Sequence, residues 1–443
     1  MPDTSPNRQT ASDALKAMEN GTLTSRELVD ACLEQSDARD EAVGAWIHLD
    51  PDLARRAADA ADAKRAAGET LGPLHGLPIG LKDILDTSDM PTANGSRLHA
   101  GRRPATDSTV AHLLRKAGAV IMGKTVTTEF ALSAPGKTKN PHDPTRTPGG
   151  SSSGSAASVA DFQVPLSIGS QTGGSMIRPA SFCGIYGYKP TFGCISRAGM
   201  SPLARPLDHP GIYARSLEDI ARVGDVLMQP DPADFDMRAH PNGNLVAAVK
   251  AGAPTEAPRI AFVKGPMWTA AEPYMEDLFA GVVDTLGSSA KEIEMTGIFD
   301  QALDCHVTVM MANIIVNLGD YIRDTPELLH PETLRRTKDS FDISSEDYIK
   351  AIEFRDTIAA AVNQMFNNWD VIITPAAPGE APLGLESTGN AIFQKLWTLL
   401  GTPTVTLPKL TGPNGMPIGV QVIGRVGHDA DLFRNALWIE GAL

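Results

Sequence analysis

Two Gly-Gly-Ser turns, Gly149-Gly150-Ser151 and Gly173-Gly174-Ser175, limit most tightly what this chain can fold into. The apolar run from Val164 to Ile168 lies between them. A glycine pair admits positive φ and lets a ligand approach the backbone, so each turn can offer converging N–H groups beside a hydroxyl, where an oxyanion would form. Flexible linkers also collect Gly and Ser. Three features argue against a linker: the alternating apolar stretch between the turns, the continuation of the second turn into Met176-Ile177-Arg178-Pro179-Ala180, and the upstream segment Gly76-Leu77-Pro78-Ile79-Gly80-Leu81-Lys82-Asp83.

In that upstream segment, residues 77–81 form a short apolar strand candidate bounded by proline and glycine, which delivers Lys82 at its end. Most lysines are solvated surface charges. One at the end of a buried strand loses hydration, which disfavours the ammonium and draws its pKa from about 10.4 towards 7 or 8, where it can act as a base. A serine hydroxyl attacks only when something takes its proton, so a hydroxyl beside free N–H groups needs such a base for acyl transfer.

Leu77-Pro78-Ile79-Gly80-Leu81-Lys82-Asp83, Gly149-Gly150-Ser151-Ser152, the Gly173-Gly174-Ser175 turn and Phe182-Cys183-Gly184-Ile185-Tyr186-Gly187-Tyr188-Lys189-Pro190 together resemble the amidase signature family in order and spacing, and flanking stretches resemble it from about Ala11 onward. The resemblance implies a Ser-Ser-Lys triad, with Ser175 as nucleophile, Ser151 as the bridging serine after a cis peptide, and Lys82 as base. It implies an α/β fold: one large domain over 1–443, a mixed central sheet flanked by helices on both faces. The signature core would cover about 72–200, an N-terminal helical layer 11–70, and a variable region about 229–345. The oxyanion hole would use the N–H groups of Thr172, Gly173, Gly174 and Ser175. Glu129 and Phe130, near the first turn, and Met310 and Met311, on a long apolar helix, are weaker candidates for lining the substrate pocket. Neither a metal nor an organic cofactor is implied.

Three positions depart from the common family pattern: Ser153 stands for a glycine, Gln171 for an aspartate, and Arg178 lies three rather than two residues after Ser175. The departures resemble a subgroup acting on small amides, aryl amides, carbamates (urethanes) or biuret-like compounds. The alternative within the family is the glutamine-hydrolysing component of a tRNA-dependent amidotransferase, its A subunit.

Other chemistries are poorly served. Gly118-Ala119-Val120-Ile121-Met122-Gly123-Lys124-Thr125 matches a phosphate-binding loop letter for letter, but its interior is strand-like and a helix precedes it, whereas a phosphate cradle needs a loop after a strand. The histidines, His75, His112, His142 and His306 among them, show no distinctive spacing, and no G-x-S-x-G elbow surrounds Ser175. Cys183 sits among Phe182, Ile185 and Tyr186 like a core residue, and no HExxH cluster suggests a metal.

The formal charge of -14, from 39 basic and 53 acidic residues, argues against nucleic acid or an anionic membrane as partner. With 42% hydrophobic and 21% charged residues in 443, a large core is available. Four scattered cysteines, Cys32, Cys183, Cys194 and Cys305, read as buried free thiols. No secretory h-region opens the chain and no apolar run reaches membrane-span length, so the expectation is a cytoplasmic monomer or homodimer acting on a small amide or carbamate. Periodicity predicts helices over 11–18, 28–37, 52–67, 107–116, 156–161, 216–227, 274–286, 304–321, 345–369 and 429–441. It predicts strands over 77–81, 119–122, 164–168, 259–263, 291–294, 371–374, 404–407 and 419–424, with a loop over 229–244.

Overall fold

The computed structural model describes residues 5–237 and 244–443. Among these residues eleven strands form one sheet: β1 (Trp46–Leu49), β2 (Pro78–Lys82), β3 (Val120–Thr125), β4 (Leu166–Gln171), β5 (Tyr186–Lys189), β6 (His209–Ala214), β7 (Ile260–Lys264), β8 (Ala290–Glu294), β9 (Val371–Pro375), β10 (Thr404–Thr411) and β11 (Pro417–Ile423). Their order is β1-β3-β2-β4-β6-β5-β10-β11-β9-β7-β8. The pairs β2/β3, β2/β4, β7/β8 and β7/β9 run parallel and the rest antiparallel, so the sheet is mixed. Helices cover both faces of this one α/β domain. A strand covered on both faces has every residue buried, which β2 and β4 both show.

β4 holds the first physical surprise. The apolar pattern points to 164–168, yet the strand is Leu-Ser-Ile-Gly-Ser-Gln and runs to Gln171. Its small residues are required by the helix Ser153–Ala160, which lies against it. A Cβ at Gly169 would come within 2.8 Å of Ser152 Oγ, and Ser155 Oγ donates to Ile168 O at 2.9 Å. On the helix side a Cβ at Gly154 would meet Ala45 O at 2.1 Å. Small side chains thus let the helix seat closely on β4 and on the backbone of Ala45 and Val126, which an apolar count misses.

Three strands were not anticipated from the sequence: β1 and β5 are four residues long each, and β6 contains Pro210 and Gly211. Thr24 and Glu27 cap each other at the start of the helix expected over 28–37, which runs from Ser25 to Val43 and stops at Gly44, whose φ of +65° suits glycine. Residues 238–243 of the expected 229–244 loop lie outside the described residues.

Beyond β7 and β8, the helices Ala302–Asp324 and Ser345–Met365 pack together, and the first also touches the helix Ile392–Leu399. The stretch Gly297–Asp324 is long and apolar enough, by length and composition, to cross a membrane, contrary to the expectation that none would be. Half of it is buried inside the protein.

Candidate active site

β2 ends at Lys82 beside the end of β4, its parallel neighbour, so strand pairing alone places the lysine next to Ser170. Lys82 is fully buried. Its Nζ lies 2.6 Å from Ser151 Oγ, 2.8 Å from Ser170 Oγ and 3.0 Å from Ser152 Oγ, with no carboxylate in ion-pair contact among the described residues. Burial holds its pKa well below the ordinary 10.5, against a weaker opposing pull from Asp208. A neutral amine has two N–H groups and one lone pair, so one of its three hydroxyl partners must donate to it. Ser152 donates its hydroxyl proton to Ser170 O at 3.1 Å. The lone pair is left for Ser151 or Ser170.

The first glycine turn carries Ser151. Gly149 has φ of +83° and packs so closely on Pro179 that a Cβ would come within 2.9 Å of its Cα; the Gly150–Ser151 peptide is cis. Ser153 Oγ donates back to Gly149 O at 2.8 Å. Arg178, buried, donates to Gly150 O at 2.5 Å, to Gly389 O at 2.9 Å and to Thr388 Oγ1 at 3.1 Å, and so ties the turn to the 387–391 loop. Burial lowers its pKa to about 10, leaving it cationic at neutral pH.

The second turn is held by its carbonyls. Thr172 O accepts from His306 Nε2 at 2.9 Å, Gly173 O from Thr398 Oγ1 at 2.7 Å, Gly174 O from Arg178 N at 3.1 Å, and Ser175 O from Tyr213 Oη at 2.9 Å. The N–H groups of Thr172, Gly173, Gly174 and Ser175 donate to no protein acceptor among the described residues. N–H groups left unpaired while their carbonyls are pinned elsewhere are available to a developing oxyanion. Gln171 supports this arrangement: Oε1 accepts from Met176 N at 2.8 Å and Ile177 N at 3.1 Å, while Nε2 donates to Thr398 Oγ1 at 2.9 Å. Thr172 Oγ1 donates to buried Asp208.

Ser175, whose hydroxyl makes no hydrogen bond to protein among the described residues, lines a cavity of about 550 Å³ walled by the second turn, residues 131–133 and the 386–391 loop. Met310 and Ala131 also line it. The other three residues named for the pocket do not. Glu129 is buried and accepts from Ser96 Oγ, His330 N and Thr333 Oγ1, anchoring the helix Pro331–Thr337. Phe130 packs between His99 and Tyr321. Met311 packs in the core, where Ser340 Oγ reaches its Sδ at 3.3 Å. A buried carboxylate or apolar side chain next to a site is often its footing rather than its lining.

The rival readings find no support in the geometry. His306 bonds the Thr172 carbonyl rather than Ser175, and burial lowers its pKa to about 3, which keeps it neutral. Burial raises the Cys183 thiol far above its ordinary range, and its Sγ contacts Pro148 O at 3.4 Å. All four cysteines are buried and free. Lys124 of the phosphate-loop lookalike lies inside β3, buried, and donates to Leu85 O and Thr92 Oγ1, each at 2.6 Å. Among the described residues no group of three His, Cys, Asp or Glu is placed to hold a metal.

Ser152, Ser170, Thr398, Arg336 and Lys395 were missed from sequence. Only Lys395 left a signal, a lone lysine in the otherwise apolar Ile-Phe-Gln-Lys-Leu-Trp-Thr-Leu helix.

A mixed sheet holding a buried lysine against one serine turn, with a second serine turn lining a cavity, is the framework of an amidase-type serine hydrolase. The family model described as Amidase matches residues 27–433, and the chain belongs to that family. The A subunit of the glutamyl-tRNA(Gln) amidotransferase of Salinispora arenicola is 34% identical, aligned over 96% of this chain and 95% of its own. A solved chain from work on a vestigial protein complex and the evolutionary origins of an s-triazine catabolic enzyme superposes with a TM-score of 0.91 at 30% identity, covering 98% of each chain. A crystal structure of an amidase gives 0.85 at 26% identity, covering 98% of this chain and all of the other.

Proposed function

We propose that this chain hydrolyses the C–N bond of a small amide through an acyl-enzyme on Ser175, with Ser151 as relay and Lys82 as base. The observation that carries the reading is the 2.6 Å hydrogen bond between Lys82 Nζ and Ser151 Oγ, made by a lysine with no anionic partner among the described residues. As Ser175 Oγ bonds to the substrate carbonyl carbon, its proton passes to Ser151, whose own proton passes to Nζ. Negative charge on the carbonyl oxygen is met by the N–H groups of 172–175, contacts worth about 2.7–4 kcal/mol for each donor removed. Collapse of the tetrahedral intermediate breaks the C–N bond. The relay run backward gives the amine its proton, and water then attacks the acyl carbon, releasing the acid and restoring Ser175.

Carbamates and aryl amides react by the same steps and belong in the first substrate panel. A second reading has its own support: the curated relatives are the A subunits of amidotransferases, and sequence likeness favours that role over stand-alone hydrolysis. In it the amide is glutamine and the ammonia goes to a partner, so the acidic balance of the chain is then no argument against an assembly that meets tRNA. Purified chain is assayed for ammonia or amine release from aliphatic amides, anilides, carbamates and glutamine, alone. Turnover of non-glutamine substrates without a partner supports stand-alone hydrolysis; turnover confined to glutamine, or appearing only with partner subunits, supports the second reading. Full activity in Ser175→Ala would sink both.

A further inference from the structure

The antiparallel register of β4 and β6 ends with Gln171 opposite His209, so the next residue outward on each chain, Thr172 and Asp208, meet just past the sheet. Thr172 opens the second glycine turn, and its Oγ1 donates to Asp208 Oδ1. Asp208 Oδ2 accepts from Leu203 N and Ala204 N, each at 3.0 Å. Leu203 lines the Ser175 cavity, as Thr172 does, and its carbonyl accepts from Asn317 Nδ2 at 3.0 Å. One buried carboxylate thus ties the oxyanion turn to the 203–204 wall.

Asp208 is 4% exposed and accepts from three donors, an arrangement that only the ionised carboxyl satisfies. Burial raises its pKa, while Thr172, the two backbone N–H groups and the charge of Arg197 act against burial. Arg197 is itself closed onto Asp234 at 2.6 Å and Asp236 at 2.7 Å, and His209, next in the chain, is buried and held neutral. These neighbours leave the charge of Asp208 uncancelled. It is also the charge that pulls against burial at Lys82, whose hydrogen-bond partners Ser151, Ser152 and Ser170 are all hydroxyls. A lysine buried with no anion in reach is neutral at rest but a weak base, reluctant to take the relay proton.

We propose that Asp208 is a positioning residue for attack by Ser175: it fixes the oxyanion turn through Thr172, and its charge is the counter-charge for the ammonium that Lys82 becomes on taking the relay proton. This role rests on Ser175 being the nucleophile and Lys82 its base.

Two variants separate the parts. Asp208→Asn removes the charge and can keep the contacts, its amide oxygen accepting from Leu203 and Ala204 N–H while its NH2 donates to Thr172 Oγ1, since a hydroxyl accepts as well as donates. Thr172→Val removes the bond to the turn and leaves both the charge and the 172 N–H in place. Each is compared with wild type by its rate of inactivation across pH with a small alkyl fluorophosphonate, which phosphonylates an activated serine whatever the natural substrate. In Asp208→Asn the acid limb is expected to move to lower pH by about half a unit or more, because Lys82 becomes harder to protonate, and the plateau rate to fall about tenfold. In Thr172→Val the plateau should fall about tenfold with the limb unmoved. A carboxylate that only braces the fold would lower the rate at every pH without moving the limb. An unmoved limb in folded Asp208→Asn therefore overturns the counter-charge, and a wild-type rate in Thr172→Val overturns the hold on the turn; both leave the hydrolase reading intact. If Asp208→Asn does not fold, Thr172→Val still decides, because a wild-type rate there sinks the proposal. Wild type left unlabelled at Ser175 would instead overturn the nucleophile, and the role of Asp208 with it.

Discussion

Gln171 and Thr398 meet across 227 positions of sequence, Nε2 to Oγ1 at 2.9 Å, and through that contact the end of β4 controls the Gly173 carbonyl. The side chain must be an amide: one end accepts from two backbone N–H groups while the other donates to Thr398. Gln171→Glu keeps the shape and removes the donor. It is expected to lower kcat by about tenfold and stability by about 1–3 kcal/mol, the range for a buried hydrogen bond broken on one side. Steady-state kinetics and denaturant titration check both, and wild-type kcat in the variant would mean that Gln171 does not position the turn.

For the proposed triad, Ser175→Ala and Lys82→Ala should each reduce kcat by about 10⁴-fold or more, since groups that act as a unit fail together. The double variant should be little worse than either single one. Cys183→Ala should retain most activity, because its thiol is buried and held in its protonated form. Single-turnover assays with an ester or amide that acylates Ser175 separate the effect on attack from that on deacylation.

The pH profile carries a sign. The amine of Lys82 serves as base only when neutral, so activity is lost as pH falls through its folded pKa, and burial places that point well below 10.5. The acid limb of kcat/KM should therefore lie far below the ordinary lysine range, and Lys82→Ala should abolish the limb together with the rate. A limb near 10.5 would mean that Lys82 is charged in the resting enzyme.

Lys124 is expected to be structural. It lies 3.8 Å from Asp83, and burial lowers its pKa to about 8 and raises that of Asp83 to about 6 despite their mutual attraction. Lys124→Ala leaves Asp83 without its cation, a loss on the order of 3–5 kcal/mol for a buried pair. Because the Asp83 pKa is raised, ionising it costs folded-state stability as pH rises through about 6, and the variant should suffer more at pH 8 than at pH 5. Thermal unfolding at the two pH values tests this. A stabilising shift with magnesium-ATP would revive the phosphate-loop reading.

Lys82, Ser151 and Ser175 were legible because each sits in a short segment whose residue types have few other uses. Eight of the eleven described strands were legible to within a few residues from their apolar runs, whereas β1, β5 and β6 were not. What sequence could not show is assembled across long separations. Arg336 and Lys395 reach the cavity from segments more than 150 residues after Ser175, and nothing local distinguishes Arg336 from a surface arginine. Glu129 illustrates the opposite error: a carboxylate near a motif looks catalytic until its three hydrogen bonds are seen to anchor a helix. β6 was hidden by Pro210 and Gly211, tolerated because its neighbours on both sides supply the pairing.

The parallel pairing of β2 with β4, Leu81 opposite Ile168, has one more consequence. Side chains alternate faces along a strand, so a slip of one residue would turn Lys82 away from the serines while leaving the sheet almost as well bonded. Turnover therefore reports on register: a molecule with native-like secondary structure but these two strands misaligned would be inert, and recovery of activity during refolding times the moment they lock.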